Sequence, residues 1–489
     1  MARNNRRRID RIVVTADDTT VVGHAGLISF MQWCARRGVF RLAARRLPTP
    51  GTTGYPVEDM LKTLWTALLL RGGREVLDVI NDLRCNSGLV AMLGMEAMPS
   101  STAVADWLRR LAGVELRHDG GARRRTGWEH GLAQVQNLFY ELTAEVLRAL
   151  RSTLSRTLDF DASVIPERKK YAAWTYEKEL GTMGYFGFID EVCVLAELEP
   201  GNHSPNDHIA ERTASCVAVC AMAGTPVRKL RSDAAGYAAA LLDQCQNPKA
   251  PIRFYVRAPH DPAVQATIRA IQGDAWAEQQ VRMAHDRHRA AELAETAHAM
   301  NNSKHGFRLV VEKRTEEEAD TVEDDGLLVR VPRTVTRYWS VATNDHAASC
   351  AEVLSFYNQR QGASEQGNDR LKNDVCIGAL PCRGEHGFDP NRVFAWLCAL
   401  LHNLAEWYKH DCLPTDDRPL RLPTIVQRDF ALAARVTLHE STISLRLANY
   451  ARAAAAALQH RIDAIRRKIK RLRIPPVAPA FAPLIFRRI

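Results

Sequence analysis

The hydrophobic period of the chain changes at residue 157, and this change constrains the fold more than any other feature. Before it, apolar residues recur at helical spacing, whereas residues 157–163 alternate between apolar and polar side chains. Alternation is the period of a strand, and it puts Leu158 and Phe160 on one face and Asp159 and Asp161 on the other. Later segments predict three more strands and a buried helix: 185–189, 192–198 and 227–231, with the helix at 208–223. This order indicates the α/β class, with a mixed sheet flanked by helices.

Residues 1–150 predict a mostly helical N-terminal region. One helix is expected to begin at Pro56 and to end at Gly72, because proline favours the first turn and glycine the end of a helix. A second helix should follow Ser101 and carry Arg109 and Arg110. Two helices joined by a turn are typical of a DNA-reading unit. Two helices that only pack against the rest of the protein would produce the same pattern, so both interpretations of this pair stay open. The N-terminal region as a whole is predicted to bind DNA.

The rest of the chain divides into four parts by pattern. They are a first part of the α/β core at 151–250, a β-rich insertion at 251–345, a second part of the core at 346–415, and a helical basic C-terminal region at 416–489. Within the insertion, the Ala- and Gln-rich segment 263–300 predicts a helix. The acidic run at 316–325 predicts a solvated loop.

The charge balance points to a polyanionic partner. Lys and Arg number 66 against 56 Asp and Glu, which gives a net charge of +10 and a pI near 9.1. Arginines cluster in residues 3–11, and basic residues cluster again in residues 461–473. Such clusters suit contacts with DNA phosphates, although a solvated surface has the same composition.

The cysteines predict reduced thiols and a protein of the cytoplasm. There are 11 of them, with no C-x-x-C pair, so neither a disulfide framework nor a zinc site is indicated. The sequence also lacks an apolar run long enough to span a bilayer.

Two aspartates in the core are candidates for metal-binding catalysis. Asp161 lies on the first predicted strand, and Asp159 on the same face is its rival. Acidic residues are disfavoured within strands, so two in one strand indicate either an edge strand with a solvated face or a functional site. Asp233 follows the strand at 227–231, at the end of a strand where α/β sheets place ligands. An Asp at that place is also a common turn cap.

A third acid, Glu365, lies on a predicted helix together with basic residues. Glu365 and Lys372 are seven residues apart and share one helix face, as do Tyr357 and Arg360, which are three apart. A carboxylate flanked by cations could bind a metal ion beside a phosphate. An ordinary surface helix shows the same spacing of charges.

Taken together, these acids resemble those of the bacterial insertion-sequence DDE transposases, specifically the group with a Tyr-Arg-Glu-Lys signature. The resemblance covers roughly residues 90–410 and rests on five segments: 158–163, 184–202, 230–233, 357–372 and 391–407. It implies a ribonuclease-H-like catalytic domain with an insertion between the second and third acids. It also implies that Asp161, Asp233 and Glu365 bind two Mg²⁺ ions, with Mn²⁺ able to substitute.

The signature departs from the family pattern at one place. The family has three residues between the arginine and the glutamate, whereas four separate Arg360 from Glu365 here. Gly362 could absorb the extra residue as a local bulge or break. The family also implies an aromatic residue in the insertion that contacts DNA, for which Trp339 or Tyr338 is the candidate; a core tryptophan is the alternative.

The resemblance further implies the reaction and the partners. The enzyme would cut double-stranded DNA at the inverted-repeat ends of a mobile element and join those ends to target DNA. It would work as a homodimer in the bacterial cytoplasm, associated with the nucleoid when bound to DNA. Arg360, Lys372 and Tyr357 would contact DNA phosphates. A ribonuclease-H-like nuclease without strand transfer, and a decayed or domesticated copy that only binds DNA, are the alternatives.

Overall fold

The computed structural model describes residue 18 and residues 20–48, 54–116, 122–124, 130–283, 287–324, 327–439 and 442–473. Its α-helices are α1 (Leu27–Arg37), α2 (Val39–Arg46), α3 (Val57–Leu70), α4 (Val76–Leu83), α5 (Ser87–Met92), α6 (Ser101–Leu111), α7 (Gly131–Leu150), α8 (Ile209–Met222), α9 (Ala239–Cys245), α10 (Pro262–Arg269), α11 (Cys350–Asn358), α12 (Arg360–Asp369), α13 (Phe388–Cys412), α14 (Leu422–Ile425) and α15 (Arg452–Lys468).

The strands are β1 (Val21–Val22), β2 (Val114–Leu116), β3 (Ala122–Arg124), β4 (Thr157–Pro166), β5 (Ala173–Trp174), β6 (Leu180–Ile189), β7 (Val192–Pro200), β8 (Lys229–Ser232), β9 (Arg253–Arg257), β10 (Ala277–Arg282), β11 (His288–His298), β12 (Phe307–Asp324), β13 (Leu327–Thr343), β14 (Ala434–His439) and β15 (Thr442–Leu447). Within the described residues, no helix combines the length and apolar character needed to cross a bilayer.

The chain forms two compact units, and the boundaries differ from those predicted. The first unit comprises the described parts of Met1–Arg45, Thr49–Trp107 and Pro419–Ile474. The second contains Arg46–Pro48 and the described parts of Leu108–Arg418. The predicted N-terminal and C-terminal regions therefore contribute to one unit, because residues distant in the chain pack together.

The first unit is mainly helical. Helix α3 begins directly after Pro56, has Glu58 and Asp59 in its first turn, and is followed by Gly72 and Gly73 with positive φ, as the sequence predicted. Its core includes large buried side chains: Phe30, Trp33, Phe40, Leu64 and Trp65.

The C-terminal part of this unit is not wholly helical, contrary to the sequence prediction. Strands β14 and β15 form an antiparallel hairpin in which Ala434 lies opposite Leu447, and β14 also pairs with β1. Alternation of Val436 and Leu438 with polar residues gives this segment the strand period. Helix α15 carries the predicted basic stretch, and a guanidinium nitrogen of Arg36 donates to the carbonyl oxygen of Arg466 at 3.0 Å.

The second unit is built around a ten-stranded mixed sheet, which confirms the predicted fold class. Strand β4 lies inside it, antiparallel to β6 and parallel to β8, and β8 is parallel to β9. Strand β7 pairs antiparallel with β6. The sheet therefore has three antiparallel strands, β4, β6 and β7, followed on the other side of β4 by two parallel ones, as in ribonuclease-H-like sheets.

Helix α13 holds this sheet from one side. It is almost entirely buried, and Asn403 on it accepts a hydrogen bond from the backbone N–H of Cys193 at 2.9 Å. The Asn403 amide also donates to the carbonyl oxygen of Cys193 and to Thr143 Oγ1. A buried polar side chain thus joins the helix, β7 and α7, because each of its groups has a partner.

The insertion extends the same sheet and contains more strand than predicted. Strand β13 pairs with β9, and β12, β11 and β10 follow in order towards the edge. The segment 263–300, predicted as a helix, is helical only up to Arg269, whereas Ala277–Arg282 and His288–His298 form β10 and β11. Its Ala and Gln residues favour helix locally, but β11 pairs with β12 from His298↔Phe307 to Glu292↔Lys313, and this tertiary pairing overrides the local preference.

The acidic run predicted as a loop also belongs to a strand. It lies at the end of β12, which pairs with β13 in a long hairpin up to Asp324 opposite Leu327. The Asp325-Gly326 turn lies outside the described residues. Acidic side chains lower strand propensity only weakly, so cross-strand pairing determines the backbone here.

Candidate active site

Asp161 lies on β4 with its side chain 15% exposed, where two side chains from α12 contact its carboxylate. Arg360 Nη2 donates to Oδ1 at 2.5 Å, and the amide of Asn368 donates to Oδ2. Burial, opposed by the charge of Arg360 and assisted by that of Asp233, raises the pKa of Asp161 to about 6. A carboxylate whose pKa is raised by burial and by a second carboxylate is typical of a functional site.

Asp159, the rival of Asp161, has a different environment. Its two carboxylate oxygens accept hydrogen bonds from Nε and Nη2 of Arg231, both at 2.7 Å, and its side chain is 2% exposed. Arg231 also donates to the carbonyl oxygen of Phe356 and stacks over that ring. Asp159 is therefore the carboxylate of a buried ion pair, whereas Asp161 lies beside another acid.

Asp233 follows β8 at the edge of a cleft. Its Oδ1 accepts a hydrogen bond from the backbone N–H of Ala235 at 3.0 Å, which caps the short 3₁₀ turn Ala234–Gly236. Gly236 is required in this turn, because a Cβ there would lie 2.5 Å from Cβ of Ser232. The predicted turn cap and the predicted functional position are thus the same residue.

The helix that carries the third acid is interrupted twice. Helix α11 ends at Asn358 and α12 begins at Arg360, so the break lies at Gln359 and not at Gly362 as predicted. A π-helical stretch, Arg370–Asp374, follows α12. Gln359 itself has φ and ψ in the helical region, so the interruption is a single residue directly before the signature arginine.

Glu365 is exposed on α12, while Lys372 points inward. Lys372 Nζ donates to Ser163 Oγ at 2.6 Å and to the carbonyl oxygen of Val164 at 3.0 Å. Burial lowers the pKa of Lys372, although the charge of Asp161 opposes this shift. Because residues 365, 368 and 372 share one helix face, Glu365 lies one turn before the Asn368 that contacts Asp161.

A cleft of about 480 Å³ brings several of these residues together. It is lined by Asp233, Ala234, Arg257, Met283, Arg314, Trp339, Tyr357, Asn358, Arg360 and Glu365. Asp161 contacts this lining through Arg360. The structure thus places Asp233, Glu365, Arg360 and Tyr357 around one space, whereas Lys372 contacts Ser163 and Val164 on β4. Among the described residues, no group of three or more His, Cys, Asp or Glu side chains is assembled closely enough to hold a metal ion.

Sequence reasoning named Trp339 as a candidate but missed the basic side chains of Arg257 and Arg314 that line the cleft with it. Trp339, the candidate aromatic of the insertion, lies between two guanidinium groups, with Arg314 4.1 Å and Arg257 5.8 Å from the ring centre. Buried Glu312 accepts two hydrogen bonds of 2.9 Å from Arg314 and one ion-pair contact of 2.5 Å from Arg289. Arg289, Arg257 and Trp339 come from other strands than Glu312, so the local sequence indicates only Arg314, two residues further along the same strand.

Asn368 was also missed, although a signal existed. It lies three residues after Glu365 on the same helix face, so the helical period places it near the catalytic candidates. Its side chain is 6% exposed, and within the described part of the chain its Oδ1 has no hydrogen-bond partner. An amide that fixes a carboxylate and leaves a buried oxygen without a donor suits a site that binds a cation.

The arrangement has the elements of phosphodiester chemistry. Two carboxylates, Asp161 and Asp233, affect each other electrostatically, and Glu365 lines the same cleft as Asp233. Oxygen ligands of this kind suit hard divalent cations. The guanidinium groups of Arg257, Arg314 and Arg360 line the same space and suit a phosphate.

Two solved structures are similar to this chain at low sequence identity. The piggyBac transposase synaptic complex with hairpin DNA, solved by cryo-EM, is similar with 10% identity and a TM-score of 0.46, covering 94% of this chain and 87% of that one. The Mos1 transposase paired-end complex with the left transposon end has 18% identity and a TM-score of 0.15, covering 37% and 55%. No curated protein matches this chain.

A family model gives the stronger result. The model described as "Transposase DDE domain group 1" matches residues 5–473 of the 489-residue chain. This match spans nearly the whole sequence, including every residue of the cleft. The chain therefore belongs to the DDE transposases of group 1, enzymes that cleave DNA and transfer the cut strands.

Proposed function

We propose that Asp161, Asp233 and Glu365 are the three catalytic acids of this transposase and that they hold two Mg²⁺ ions, for which Mn²⁺ can substitute. Enzymes of the family generally use divalent metal ions. The observation that carries the proposal is the placement of the acids. Asp161 and Asp233 lie close enough for their charges to interact, and Glu365 lines the cleft beside Asp233.

The donor set fits a hard divalent cation. Each oxygen of Asp161 accepts one hydrogen bond, from Arg360 or from Asn368, and each has a further lone pair to offer. Asp233 uses Oδ1 as a turn cap. Cations relieve the repulsion between neighbouring carboxylates, which suits a pair in which burial has raised the pKa of Asp161. Glu365 is exposed on α12, so its carboxylate has freedom to turn towards the aspartates.

When bound, the metal ions supply Lewis-acid activation and a stronger nucleophile at neutral pH. The protein residues then orient the DNA. Arg360, Arg257 and Arg314 line the cleft and are proposed to bind the phosphates beside the scissile bond. Tyr357 borders the same space. Lys372 has two of its three donors on Ser163 and Val164, which leaves one for a phosphate.

We further propose the biological setting. The enzyme acts on the inverted-repeat ends of its own bacterial insertion sequence and joins them to double-stranded target DNA, as a homodimer in the cytoplasm. The net charge of +10 supports a DNA partner. The basic residues at the end of α15, together with the helices of the first unit, support a role for that unit in recognising the ends.

Excision in cells tests the catalytic proposal. The coding region, flanked by its native neighbouring DNA, is placed on a plasmid, and excision is compared for wild type, Asp161→Asn, Asp233→Asn and Glu365→Gln. Each acid variant should lose at least about 10³-fold, because catalytic groups of this kind act as a unit. Asp274→Asn and Glu385→Gln change exposed acids outside the cleft and should retain wild-type excision.

Metal binding provides a second measurement that does not depend on activity. Calorimetric titration of the purified protein with Mn²⁺ should show tight binding in wild type and much weaker binding in Asp161→Asn and Asp233→Asn. Normal excision by any one of the three acid variants would remove that residue from the proposed catalytic set. Equal Mn²⁺ affinity in all proteins would remove the proposed metal site.

A further inference from the structure

The turn between β5 and β6 presents two aromatic side chains to solvent. Trp174 is 66% exposed and Tyr176 is 56% exposed. Among the described residues, five large apolar side chains are exposed, and these two are the aromatic ones. Aromatic rings are the largest contributors to buried apolar area, so two of them on one turn indicate a contact surface.

The fold of the turn does not depend on these two rings. The backbone N–H of Thr175 donates to the carbonyl oxygen of Glu179 at 2.8 Å, and that of Lys178 donates to Thr175 at 3.0 Å. The side chain of Thr175 is buried. Just before the turn, the hydroxyl of Tyr171 donates to Glu167 at 2.8 Å. The turn is thus fixed by polar contacts, which leave both rings facing outward.

The turn belongs to the sheet that carries Asp161. Strand β5 pairs with β6, and β6 pairs with β4, with Phe186 opposite Asp161. Burial and the hydrogen bond to Glu177, with smaller contributions from the charges of Asp233 and Asp161, raise the pKa of Tyr176 to about 12. The two rings thus lie at one end of the sheet whose inner strand carries Asp161.

The surroundings of the turn are suited to a nucleic acid. Arg168, Lys170 and Lys178 are exposed around it. The two acids of the turn, Glu177 and Glu179, interact electrostatically with the ammonium group of Lys372. This interaction partly balances their negative charge. Protein surfaces that bind single-stranded nucleic acids typically combine exposed aromatic rings with cationic side chains.

We propose that Trp174 and Tyr176 form a stacking surface for unpaired nucleobases of the DNA strand whose phosphate enters the cleft. The proposal rests on the proposed function for the position of that phosphate beside Asp161 and Asp233. Bases within a duplex are covered on both faces by their neighbours, so the rings can stack only on bases that have left the duplex or on a terminal pair. Stacking on an aromatic face is tolerant of sequence.

A second copy of the chain is a poorer occupant of this surface. A stable protein interface buries about 800 Å² on each partner, and two aromatic side chains supply only part of that area. Interfaces between subunits also have few charged residues at their centre, whereas three cations surround these rings.

Binding of an oligonucleotide without metal tests the proposal. Fluorescence anisotropy with labelled oligo(dT) of 20 nucleotides, in EDTA, compares wild type with Trp174→Ala, Tyr176→Ala and the double variant. Each single variant should bind about tenfold more weakly or worse, since stacking of one base contributes about 1–3 kcal/mol. Trp174→Phe should recover most of the affinity, because a ring is restored. Leu438→Ala, which shortens another exposed apolar side chain, should bind as wild type does.

Three outcomes would overturn the proposal. The first is unchanged oligo(dT) affinity in the double variant. The second is an equal loss of affinity for oligo(dT) and for a closed duplex without ends, which would remove the preference for unpaired bases. The third is a change of oligomeric state by light scattering with unchanged affinity, which would assign the rings to a contact between copies.

The same assay separates this proposal from the catalytic one. Asp161→Asn should bind oligo(dT) in EDTA as wild type does, because no metal takes part. If Trp174→Ala binds oligo(dT) more weakly and Asp161→Asn excises normally, the catalytic proposal is contradicted and the stacking proposal is supported. Because Trp174 and Tyr176 are exposed, their variants should keep the wild-type circular dichroism and unfolding temperature.

Discussion

The carboxylate of Asp159 accepts two hydrogen bonds of 2.7 Å from the guanidinium of Arg231, on the neighbouring parallel strand. Both side chains are buried, at 2% and 8% exposure. Two residues further along the same strand, Asp161 lies beside a second acid and a cleft. We therefore expect these two acids on one face of β4 to have separate tasks, one in holding the sheet and one in the site.

Substitution should distinguish these two tasks. Asp159→Asn leaves the guanidinium of Arg231 buried without its counter-charge, so we expect a loss of about 3–5 kcal/mol in the free energy of unfolding. Asp161→Asn should cost no more than about 1–2 kcal/mol, since its side chain is partly exposed, yet it should abolish excision. Urea unfolding and the excision assay measure the two effects. Similar stability of the two variants would contradict the assignment.

Asn368 should act as a positioning residue for Asp161. Its amide donates to Oδ2 of that carboxylate, so Asn368→Ala frees the carboxylate to rotate. We expect excision to fall about 10- to 100-fold, the usual effect of removing a group that orients a metal ligand. Mn²⁺ affinity in calorimetry should fall with it. Asn373→Ala removes an exposed amide five residues further along and serves as the matched control. Equal behaviour of the two variants would exclude the positioning role.

Glu312 should be essential for the basic wall of the cleft. It is buried between Arg314 and Arg289; burial raises the pKa of Glu312, but these two guanidinium groups lower it overall. Glu312→Gln removes the counter-charge of both, so we expect a loss of about 3–5 kcal/mol in the free energy of unfolding and weaker DNA binding as Arg314 loosens from Trp339.

An exposed pair in the same hairpin provides the control for Glu312. Glu316 lies 3.4 Å from Arg337, and their side chains are 43% and 48% exposed. Glu316→Gln should change the free energy of unfolding by less than about 1 kcal/mol, because water screens exposed pairs. Urea unfolding of both variants tests the contrast, and a loss of similar size in each would refute it.

His402 should make stability depend on pH below neutrality. It is 2% exposed on α13, with Nε2 donating to the carbonyl oxygen of Glu191 at 2.8 Å. Burial, together with the charges of Lys409 and Arg370, lowers the pKa of His402 to about 4, against the opposing effect of the hydrogen bond to Glu191. The folded protein therefore keeps this imidazole neutral at pH values where the unfolded chain protonates it.

The sign follows from the two pKa values. Above pH 6.5, the pKa of His402 in the unfolded chain, this imidazole does not make the free energy of unfolding depend on pH. Between pH 6.5 and about 4, the unfolded state binds a proton at His402 that the folded state does not bind. Stability is therefore lost as the pH falls through this window, by about 2 kcal/mol at pH 5. Urea unfolding at pH 7 and pH 5 should show a smaller loss in His402→Gln than in wild type. An identical loss in both proteins would rule out His402 as the source.

Local patterns predicted the parts of the fold that local forces decide. The strand period at 157–163 gave β4, because alternation depends only on neighbouring residues, and Pro56 with Gly72 gave the bounds of α3 closely. The predicted helix at 263–300 was largely wrong. Its Ala-rich composition favours helix in isolation, whereas β11 forms by pairing with β12 across a connection that the sequence does not encode locally.

The site follows the same rule. The helical period placed Glu365 and Lys372 on one face, whereas in the structure Lys372 contacts Ser163 on β4 and Glu365 is exposed at the cleft beside Asp233. The partner of Asp159, by contrast, is Arg231, 72 residues away, and one partner of Glu312 is Arg289 on the neighbouring strand, while the other, Arg314, lies two residues away on the same strand. Contacts of this kind depend on how strands align after folding. The assignment of the three acids to catalysis remains a prediction.

The first unit is formed from both ends of the sequence, and this affects how it folds during synthesis on the ribosome. Its helices near the beginning of the sequence pack with segments beyond residue 419: the N–H of Ala25 donates to Leu432, and a Cβ on Gly26 would collide with the carbonyl of Asp429. At about 5–20 residues per second, a ribosome needs roughly 15–60 s to synthesise the intervening second unit. During that time the newly emerged helices have apolar faces without their final cover, so the nascent chain should depend on chaperones until its last helix is released.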